Sequence, residues 1–472
     1  MSAPLVTRRR SVKRPALSAG CRNRREPSDR MVVTDSRDVR PGDLFVALEG
    51  ERFDGHDFLD DVRAKGAVAL VIARHQLAKL PSNTPAIVVD DTRLAYGRIA
   101  AAYRRQFELP VICVGGSNGK TTTKEILATL LAQQFTTLRS EASFNNDIGV
   151  PATLLRLDAT HGAAVLEAGT NHPGELAPLV EMIAPRIGII TSIGREHLEF
   201  FGDLAGVAAE EGALAQLLPP ASEGGVLVLN GECSFQKHLA RRPRARVVRV
   251  GFGTANEWRA ELRAMTWEAT TFSVTAPRPE WCGEFTIPLP GRHSVPNALL
   301  GLAVACELGM SPGGARDGLA VSVPAKQRLN VREAAGVRVL DDTYNANADS
   351  MLAALQTLSD LPCSGRRVAV LGDMAELGRH SETAHAEVGR AAARLGVDAV
   401  FAVGRWSVLT ADSAGADRAS AFPNVEAAAP ALLHYLRHGD TVLVKASRSS
   451  RLERLVEVIL KQTELRRELC AA

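Results

Sequence analysis

The residues with the clearest chemical meaning in this sequence are glycines and hydroxyl side chains around one lysine. The run comprises Gly115, Gly116, Ser117, Asn118, Gly119, Lys120, Thr121 and Thr122. Glycines let backbone N–H groups wrap around phosphate oxygens, and a helix that starts there turns its positive end toward the anion. The lysine adds a point charge, and the hydroxyl of the first threonine is a ligand for Mg²⁺. We therefore predict a phosphate loop that binds ATP or GTP.

The spacing of this loop departs from the strict P-loop pattern. That pattern requires a glycine five positions before Gly119, where this chain has Val114. The alternative is a strand–turn–helix connection that contains Gly-Lys-Thr by chance. A β-branched run precedes the loop, and an i, i+4 apolar face follows it at Ile126, Leu127, Leu130 and Leu131. This order of strand, turn and helix favours the phosphate loop.

Two apolar runs further along the chain end in residues that suit the same site. Ala163–Leu166 is followed by Glu167, and Ile187–Ile193 is followed by a charged segment that ends at His197. Strands buried on both faces of a parallel sheet have such runs, and ligands bind beyond their carboxyl ends. Mg²⁺ prefers oxygen ligands, so Glu167 and Thr121 fit a magnesium site better than His197, and a lone histidine is usually structural.

A later polar segment, Asp341–Ser350, directly follows another apolar run. Small polar and acidic residues there suit a ligand-binding loop, although Asp349 and Ser350 also suit the N-terminal cap of the following helix. Lys326–Arg328 lies at the predicted junction between the central domain and the last domain. From this junction a cation can reach phosphates that are bound to the neighbouring central domain.

The elements that must position these residues predict an α/β protein with three domains. A chain of 472 residues is too long for one core. We predict a small N-terminal α/β domain at 31–108, a central parallel sheet of the mononucleotide-binding kind at 109–322, and a C-terminal Rossmann-like α/β domain at 323–472. Residues 226–290 are predicted to be β-rich. The strands predicted in the last domain are Val337–Leu340, Arg367–Leu371, Ala399–Val403 and Thr441–Val444.

The positive charge of the chain is concentrated at its beginning. Nine Lys or Arg and two acidic residues occur in positions 1–30, whereas the whole chain has a net charge of +3. Such a tail can bind nucleic acid or act as a targeting peptide, but we favour a disordered extension or a start at Met31. Seven scattered cysteines without a Cys-x-x-Cys pair predict a reduced compartment and argue against zinc. No apolar run approaches the ~18 residues of a membrane helix, so we expect a cytoplasmic protein.

Together these motifs resemble the Mur ligase family over about residues 33–460, and in particular its MurF-type branch. The most discriminating segments are Asp342-Thr-Tyr-Asn-Ala-Asn347 and Gly372-Asp-Met-Ala-Glu-Leu-Gly378. Near the start, three segments are similar to the family's domain for the UDP-sugar: Asp35-Ser-Arg37, Pro41–Ala47 and Asp54-Gly-His56. Gly291–Asn297 is similar to the motif whose asparagine lies against adenine. Lys445-Ala-Ser-Arg448 resembles a further motif, to which we assign no role.

The resemblance implies a reaction and partners. ATP would drive amide formation between UDP-N-acetylmuramoyl-tripeptide and D-alanyl-D-alanine through an acyl phosphate, as a step of peptidoglycan synthesis that serves cell-wall biogenesis, cell shape and division. The implied catalytic residues are Lys120, Glu167, His197, Glu211, Arg328 and Asp342. ATP would contact the phosphate loop, Asn297, Arg328 and Asp342, and Mg²⁺ would contact Thr121, Glu167, His197 and Glu211. Substrate contacts would come from Ser36, Arg37, Asn145, Asn146, Tyr344, Asn345 and Asn347. We expect a monomer that binds neither nucleic acid nor membrane.

The sequence departs from this family in two places. The family usually has a lysine about fourteen residues after the histidine, converted by CO₂ to a carbamate that serves a second Mg²⁺. This chain has Glu211 there, and no lysine between Lys124 and Lys237. Our hypothesis is that Glu211 supplies the negative charge directly or through a bridging water; the alternative is a solvated helix residue beside a weakly held metal. In addition, residues 1–30 do not resemble the helix and hairpin that usually open the first domain.

Three rival functions stay open at this stage. Another ligase of the family would add a different amino acid, which the Tyr344–Asn347 segment disfavours. A P-loop ATPase or kinase with another acceptor is disfavoured by the three-domain layout and by the Asn297 motif. A degenerate nucleotide-sugar binder is disfavoured by the intact Lys120, Thr121 and Glu167.

Overall fold

The computed structural model describes residues 31–50, 52–241 and 244–461 of the chain. The predicted basic extension at 1–30 lies outside these residues. The chain divides into two compact units, one before and one from Arg93 onward. None of the helices in the described part of the chain is both long and apolar enough to cross a membrane.

The unit before Arg93 contains a small parallel sheet. Its elements are β1 (Val32–Val33), β2 (Leu44–Val46), α1 (Leu59–Ala64), β3 (Ala69–Ala73) and β4 (Ala86–Val89). The four strands pair in chain order, and every pair is parallel. Phe45, Leu70 and Ile72 are fully buried in its core. This confirms the predicted α/β character of the first segment.

The unit from Arg93 onward holds a nine-stranded sheet and a six-stranded sheet. Between α2 (Thr92–Arg104), which begins at the division, and the second sheet, the elements are β5 (Val111–Gly115), α3 (Lys120–Leu131), β6 (Thr137–Arg139), α4 (Gly149–Leu154), β7 (Ala163–Glu167), α5 (Leu176–Ile183), β8 (Ile187–Ile190), α6 (Leu198–Phe201), α7 (Leu204–Leu217), β9 (Val226–Asn230), α8 (Gln236–Leu239), β10 (Arg246–Gly251), β11 (Trp258–Met265), β12 (Thr270–Thr275), β13 (Gly283–Ile287), α9 (Ser294–Glu307) and α10 (Pro312–Ala320). The strands β9 to β13 confirm the β-rich segment predicted at 226–290.

The order of the nine strands places a ligand crevice beside β5. The order is β13-β12-β11-β10-β9-β8-β5-β7-β6, with β7 and β8 parallel to β5 on either side. After β5 the chain continues to one side of that strand, and it later returns to form β8 on the other side. Such a switch point opens a crevice beyond the carboxyl ends of the strands. The phosphate loop follows β5, and Glu167 ends β7.

One strand is shorter than its apolar run. The run predicted over Ile187–Ile193 forms a strand only as far as Ile190. The chain then turns toward the phosphate loop, since Ser117 N donates to Ser192 O and Thr191 N donates to Gly115 O. The end of the apolar run therefore packs beneath the loop and does not extend the sheet.

The six-stranded sheet has the Rossmann-like character predicted for it. Its elements are β14 (Asn330–Ala334), β15 (Val337–Asp342), α11 (Ala348–Asp360), β16 (Arg367–Gly372), α12 (Ser381–Arg394), β17 (Ala399–Val403), α13 (Ser407–Ala414), β18 (Ala419–Phe422), α14 (Val425–Tyr435), β19 (Thr441–Lys445) and a helix at 453–461. The order is β14-β15-β19-β16-β17-β18, and all pairs except β14–β15 are parallel. All four predicted strands are confirmed.

The predicted cap of α11 is wrong in its position. Asn347 caps the helix, because its side chain accepts from Ser350 N while Ser350 Oγ accepts from Asn347 N. Ser350 is therefore the third helical residue, and Asp349 lies in the first turn. The predicted domain boundaries near 108 and 322 remain predictions.

Candidate active site

A cavity of about 560 Å³ lies between the carboxyl ends of the two sheets in the unit from Arg93 onward. Its wall brings together most of the predicted site residues: Ser117, Asn118, Gly119, Lys120, Thr121, Thr122, Asn145, Asn146, Glu167, His197, Asn297, Arg328, Asp342, Tyr344, Asn345 and Asn347. Gly115 and Gly116, at the start of the phosphate loop, and Glu211, which contacts the loop from behind, do not line the cavity. The wall also includes Glu196, from the predicted charged segment that ends at His197, and Lys445, from the motif to which the sequence assigned no role.

The phosphate loop has a backbone that requires glycine at two positions. Gly116 has φ 107° and Gly119 has φ 87°, in the left-handed region that side chains disfavour. A Cβ atom on Gly116 would lie 2.5 Å from Thr191 Oγ1, and one on Gly119 would lie 2.7 Å from Asn297 Oδ1. The N-terminus of α3 follows directly at Lys120, so the positive end of its dipole faces the cavity.

The ammonium group of Lys120 folds back on the phosphate loop. Its Nζ donates to Gly116 O at 2.5 Å and lies 3.5 Å from Glu196 Oε2. Burial lowers the pKa of Lys120, but Glu196 and the carboxylates at 211 and 167 outweigh this effect and raise it. The lysine therefore stays charged, and it can turn from a backbone oxygen to a phosphate oxygen.

Glu167 provides a carboxylate that suits a cation. Its Oε1 accepts from Asn145 Nδ2 at 2.9 Å, whereas Oε2 is buried and has no hydrogen-bond partner among the described residues. An unpaired buried carboxylate oxygen is costly unless a cation approaches it. The Thr121 hydroxyl lines the same cavity. The described residues contain no cluster of three or more His, Cys, Asp or Glu that could hold a metal. Carboxylate and hydroxyl oxygens are ligands that Mg²⁺ prefers.

Glu211 lies behind the phosphate loop on α7 and is almost fully buried. Its Oε2 accepts from Gly116 N at 2.6 Å, and its Oε1 has no partner in the described part of the chain. Burial raises the pKa of Glu211 to about 7, against the lowering effect of Lys120. The alternative that Glu211 is a solvated helix residue is therefore wrong.

His197 contacts the loop that follows β16. Its Nδ1 lies 2.5 Å from Glu376 Oε2, an ion-pair distance without the alignment of a hydrogen bond. The contact with His197 lowers the pKa of Glu376. Both residues have a left-handed backbone, with φ 49° and 60°. The Gly372–Gly378 motif thus reaches the histidine that was predicted on the magnesium side.

Residues beyond the nine-stranded sheet reach the phosphate loop directly. Arg328 Nη2 donates to Thr121 Oγ1 at 3.3 Å, and its guanidinium lies 4.4 Å from the centre of the Tyr344 ring. Asn347 Nδ2 donates to Asn118 Oδ1 at 2.9 Å. These contacts place the start of α11 against the loop.

Lys445 supports the same part of the cavity from the end of β19. Its Nζ lies 2.6 Å from Asp342 Oδ2 and donates to Asn345 O at 2.9 Å. The side chain is almost fully buried, so the ion pair is shielded from solvent. In the sequence, Lys445 directly follows the apolar run of β19, and this pattern is typical of residues that face a ligand.

In the unit before Arg93, the predicted residues Ser36 and Arg37 lie in a turn. The Arg37 guanidinium donates from Nε to Asp35 Oδ1 and from Nη2 to Asp35 Oδ2, and these bonds lower the pKa of Asp35 to about 2. Lys65 Nζ donates to Ser36 O at 2.8 Å. The Arg37 side chain is itself exposed, and its contact with substrate remains a prediction.

Three family models match most of the chain. They are described as "Mur ligase family, catalytic domain" at residues 30–104, "Mur ligase middle domain" at 114–305 and "Mur ligase, glutamate ligase domain" at 327–448. Their order along the chain is the order of the three predicted domains.

Known proteins and solved structures are similar over almost the whole length. The chain is 39% identical over 439 residues to UDP-N-acetylmuramoyl-tripeptide–D-alanyl-D-alanine ligase of Escherichia coli K12, covering 91% of this chain and 93% of that protein. A crystal structure of MurF from Acinetobacter baumannii superposes with a TM-score of 0.83 at 33% identity, covering 91% and 93%. MurF ligase from Thermotoga maritima in complex with ADP gives 0.78 at 28%, covering 93% and 98%.

Proposed function

The chain belongs to the Mur ligase family, and on that basis we propose that it joins D-alanyl-D-alanine to the terminal carboxylate of UDP-N-acetylmuramoyl-tripeptide. ATP is consumed and ADP and phosphate are released. The observation that carries this proposal is one cavity in which the phosphate loop meets the Tyr344–Asn347 segment. The need for ATP also favours action in the cytoplasm.

The first step requires two anions to approach each other. The tripeptide carboxylate attacks the γ-phosphate of ATP, and ADP leaves as an acyl phosphate forms. Lys120 and Arg328 place positive charge beside the transferred group, and the amides of the phosphate loop bind the remaining phosphates. Glu167 and Thr121 would hold Mg²⁺, which when bound neutralises further charge on the triphosphate.

The second step requires that water be kept out. The amine of D-alanyl-D-alanine attacks the acyl carbon, phosphate leaves, and the amine gives up a proton as the amide forms. Asn347, which caps α11, and Arg328, which precedes β14, contact the phosphate loop through Asn118 and Thr121. This contact supports a closed arrangement during catalysis, which would keep water from the acyl phosphate.

We further propose that Glu211 gives its negative charge to this site from behind the loop. Its carboxylate accepts from Gly116 N and acts electrostatically on Lys120. The charge therefore orients the loop and holds the ammonium group in its charged form. Any contribution to a second Mg²⁺ would pass through this loop or through a water.

The proposed function is tested by phosphate release from ATP and Mg²⁺. We expect release only when UDP-N-acetylmuramoyl-tripeptide and D-alanyl-D-alanine are both present. Lys120→Met should abolish it, because the charge facing the phosphates is lost. Release with glutamate or a diamino acid as sole acceptor would indicate another ligase of the family. ATP binding without release under any of these conditions would indicate a non-catalytic nucleotide-sugar binder.

A further inference from the structure

The segment Gly194–His197, which follows β8, contacts both the phosphate loop and the elements of the six-stranded sheet. Gly194 N donates to Ser117 Oγ at 2.8 Å, and Glu196 lies beside Lys120. His197 lies beside Glu376. Every residue of the segment except Arg195 lines the cavity. The segment therefore joins the two halves of the site at several points.

Arg195 makes the most extensive contacts of this segment with the six-stranded sheet. Its Nε and Nη2 donate to Asp349 Oδ1 at 2.9 and 2.7 Å, and its backbone N donates to Asp349 Oδ2 at 2.7 Å. Its Nη1 donates to Glu387 Oε2 at 2.5 Å. Asp349 lies in the first turn of α11, and Glu387 lies on α12. One guanidinium thus binds two helices, α11 and α12, that belong to the same part of the chain as the six-stranded sheet.

These contacts differ from an ordinary surface ion pair. The Arg195 side chain is 26% exposed, and its carboxylate partners are 37% and 36% exposed. Charge-assisted hydrogen bonds that use several donors of one guanidinium fix geometry as well as charge. By contrast, Arg454 and Glu426, which pair within the six-stranded part, are 52% and 60% exposed. A single exposed pair of that kind contributes little.

We propose that Arg195 is a positioning residue for ligation, which seats the first turn of α11 against the phosphate loop. The turn begins at Asn347, whose side chain contacts Asn118 of the loop. Arg195 holds Asp349, two residues further along, in the same turn. It thereby sets where Tyr344 and Asn345 lie relative to bound nucleotide. This inference rests on the proposed function, since it assigns Arg195 a part in that reaction.

Arg195→Met tests the proposal by separating turnover from nucleotide binding. The variant keeps much of the apolar stem and loses the guanidinium, so we expect kcat for phosphate release to fall about 10-fold or more, as misplacement of reacting groups does. The Kd for ADP should stay within about twofold, because Arg195 does not line the cavity. Arg195→Lys should recover only part of kcat, because a lysine cannot bridge both carboxylates. Arg454→Met is the matched control and should retain wild-type kcat.

A second measurement does not depend on activity. Hydrogen–deuterium exchange should become faster at residues 347–351 in Arg195→Met, and should be unchanged in α3. Glu387→Gln tests the partner side and should lower kcat by a smaller factor. The double variant Arg195→Met/Glu387→Gln should be no slower than Arg195→Met alone, because the same contact is already lost.

The outcomes separate this inference from the proposed function. If the wild-type protein releases no phosphate, the proposed function is overturned. The comparison of hydrogen–deuterium exchange between the wild type and Arg195→Met then still decides whether Arg195 seats α11. Wild-type kcat in Arg195→Met overturns the positioning role, whatever the exchange shows. A fall in ADP affinity as large as the fall in kcat also overturns it, because the loop itself would then be disturbed.

Discussion

Against the effect of burial, three carboxylates raise the pKa of Lys120, and they come from three different elements. Glu167 ends β7, Glu196 follows β8, and Glu211 lies on α7. Only the first two line the cavity. The negative charge around the lysine is thus divided between the ligand side and the rear of the phosphate loop. Glu211, at the rear, does not line the cavity, but it accepts a hydrogen bond from the loop backbone and raises the pKa of Lys120.

At the scale of a single residue, we expect Glu211→Gln to change how stability depends on pH. Burial raises the pKa of Glu211 from 4.5 to about 7, so the folded state binds this proton more tightly than the unfolded state. The free energy of unfolding therefore falls as pH rises from about 4.5 to about 7, by ~3 kcal/mol at most for this residue. Glutamine does not titrate and still accepts from Gly116 N. Urea unfolding of both proteins at about pH 5 and about pH 7.5 measures the difference.

The lower pH serves as an internal control for this variant. There the glutamate is largely protonated and nearly isosteric with glutamine, so the two proteins should be close in stability. If the difference in the free energy of unfolding between the two proteins is the same at both pH values, the pKa shift of Glu211 is contradicted. In the same variant, undiminished turnover at limiting Mg²⁺ would refute the proposed role of the Glu211 charge.

At the scale of elements, the start of α11 combines a structural and a functional task in Asn347. Its Oδ1 caps the helix by accepting from Ser350 N, while its Nδ2 donates to Asn118 of the phosphate loop. A cap needs only an acceptor, whereas the contact with the loop needs a donor. The two tasks can therefore be separated by substitution.

We expect Asn347→Ala to lower the free energy of unfolding by about 1 kcal/mol and also to lower kcat, because cap and loop contact are both lost. Asn347→Asp should keep the cap and nearly wild-type stability, but it should still lower kcat, because aspartate has no donor for Asn118 Oδ1. Urea unfolding and phosphate release measure the two effects. Asn424→Ala is the matched control: Asn424 caps α14 in the same way, accepting from Ala427 N. The Asn424→Ala variant should lose a similar amount of stability and no activity. Full activity in Asn347→Asp would contradict a functional role for the contact between Asn347 and Asn118.

The site could be predicted where one short segment carries the signal. The phosphate loop and Glu167 each follow an apolar strand directly, so a local pattern places them. Arg195 follows an apolar run in the same way, but its partners could not be predicted, because they lie 154 and 192 residues further along the chain. The cap of α11 was misplaced for a related reason. Asn347, Asp349 and Ser350 are all good caps, and only the observed backbone selects one of them.

The strands were predicted more reliably than the contacts between the sheets. Continuous apolar runs buried on both faces, such as most of β16 and all of β17, are recognisable from composition alone. The end of the Ile187–Ile193 run was not, because Thr191 and Ser192 hydrogen-bond to the phosphate loop. Tertiary contacts of the site, which the local sequence does not encode, decided where that strand ends.

At the scale of the whole molecule, we expect nucleotide to stabilise one compact unit and not the other. The phosphate loop and its cavity belong to the unit from Arg93 onward, whereas the unit before Arg93 has its own core around Phe45 and Leu70. Scanning calorimetry should therefore show two transitions, and ADP at about 100 times its Kd should stabilise the larger one by about 2.7 kcal/mol and leave the smaller one in place. Lys120→Met, which binds phosphate less well, should show a smaller shift at the same ADP concentration. A single transition that moves as a whole would mean that the two units unfold together, and a shift confined to the smaller transition would place the nucleotide outside the cavity described above.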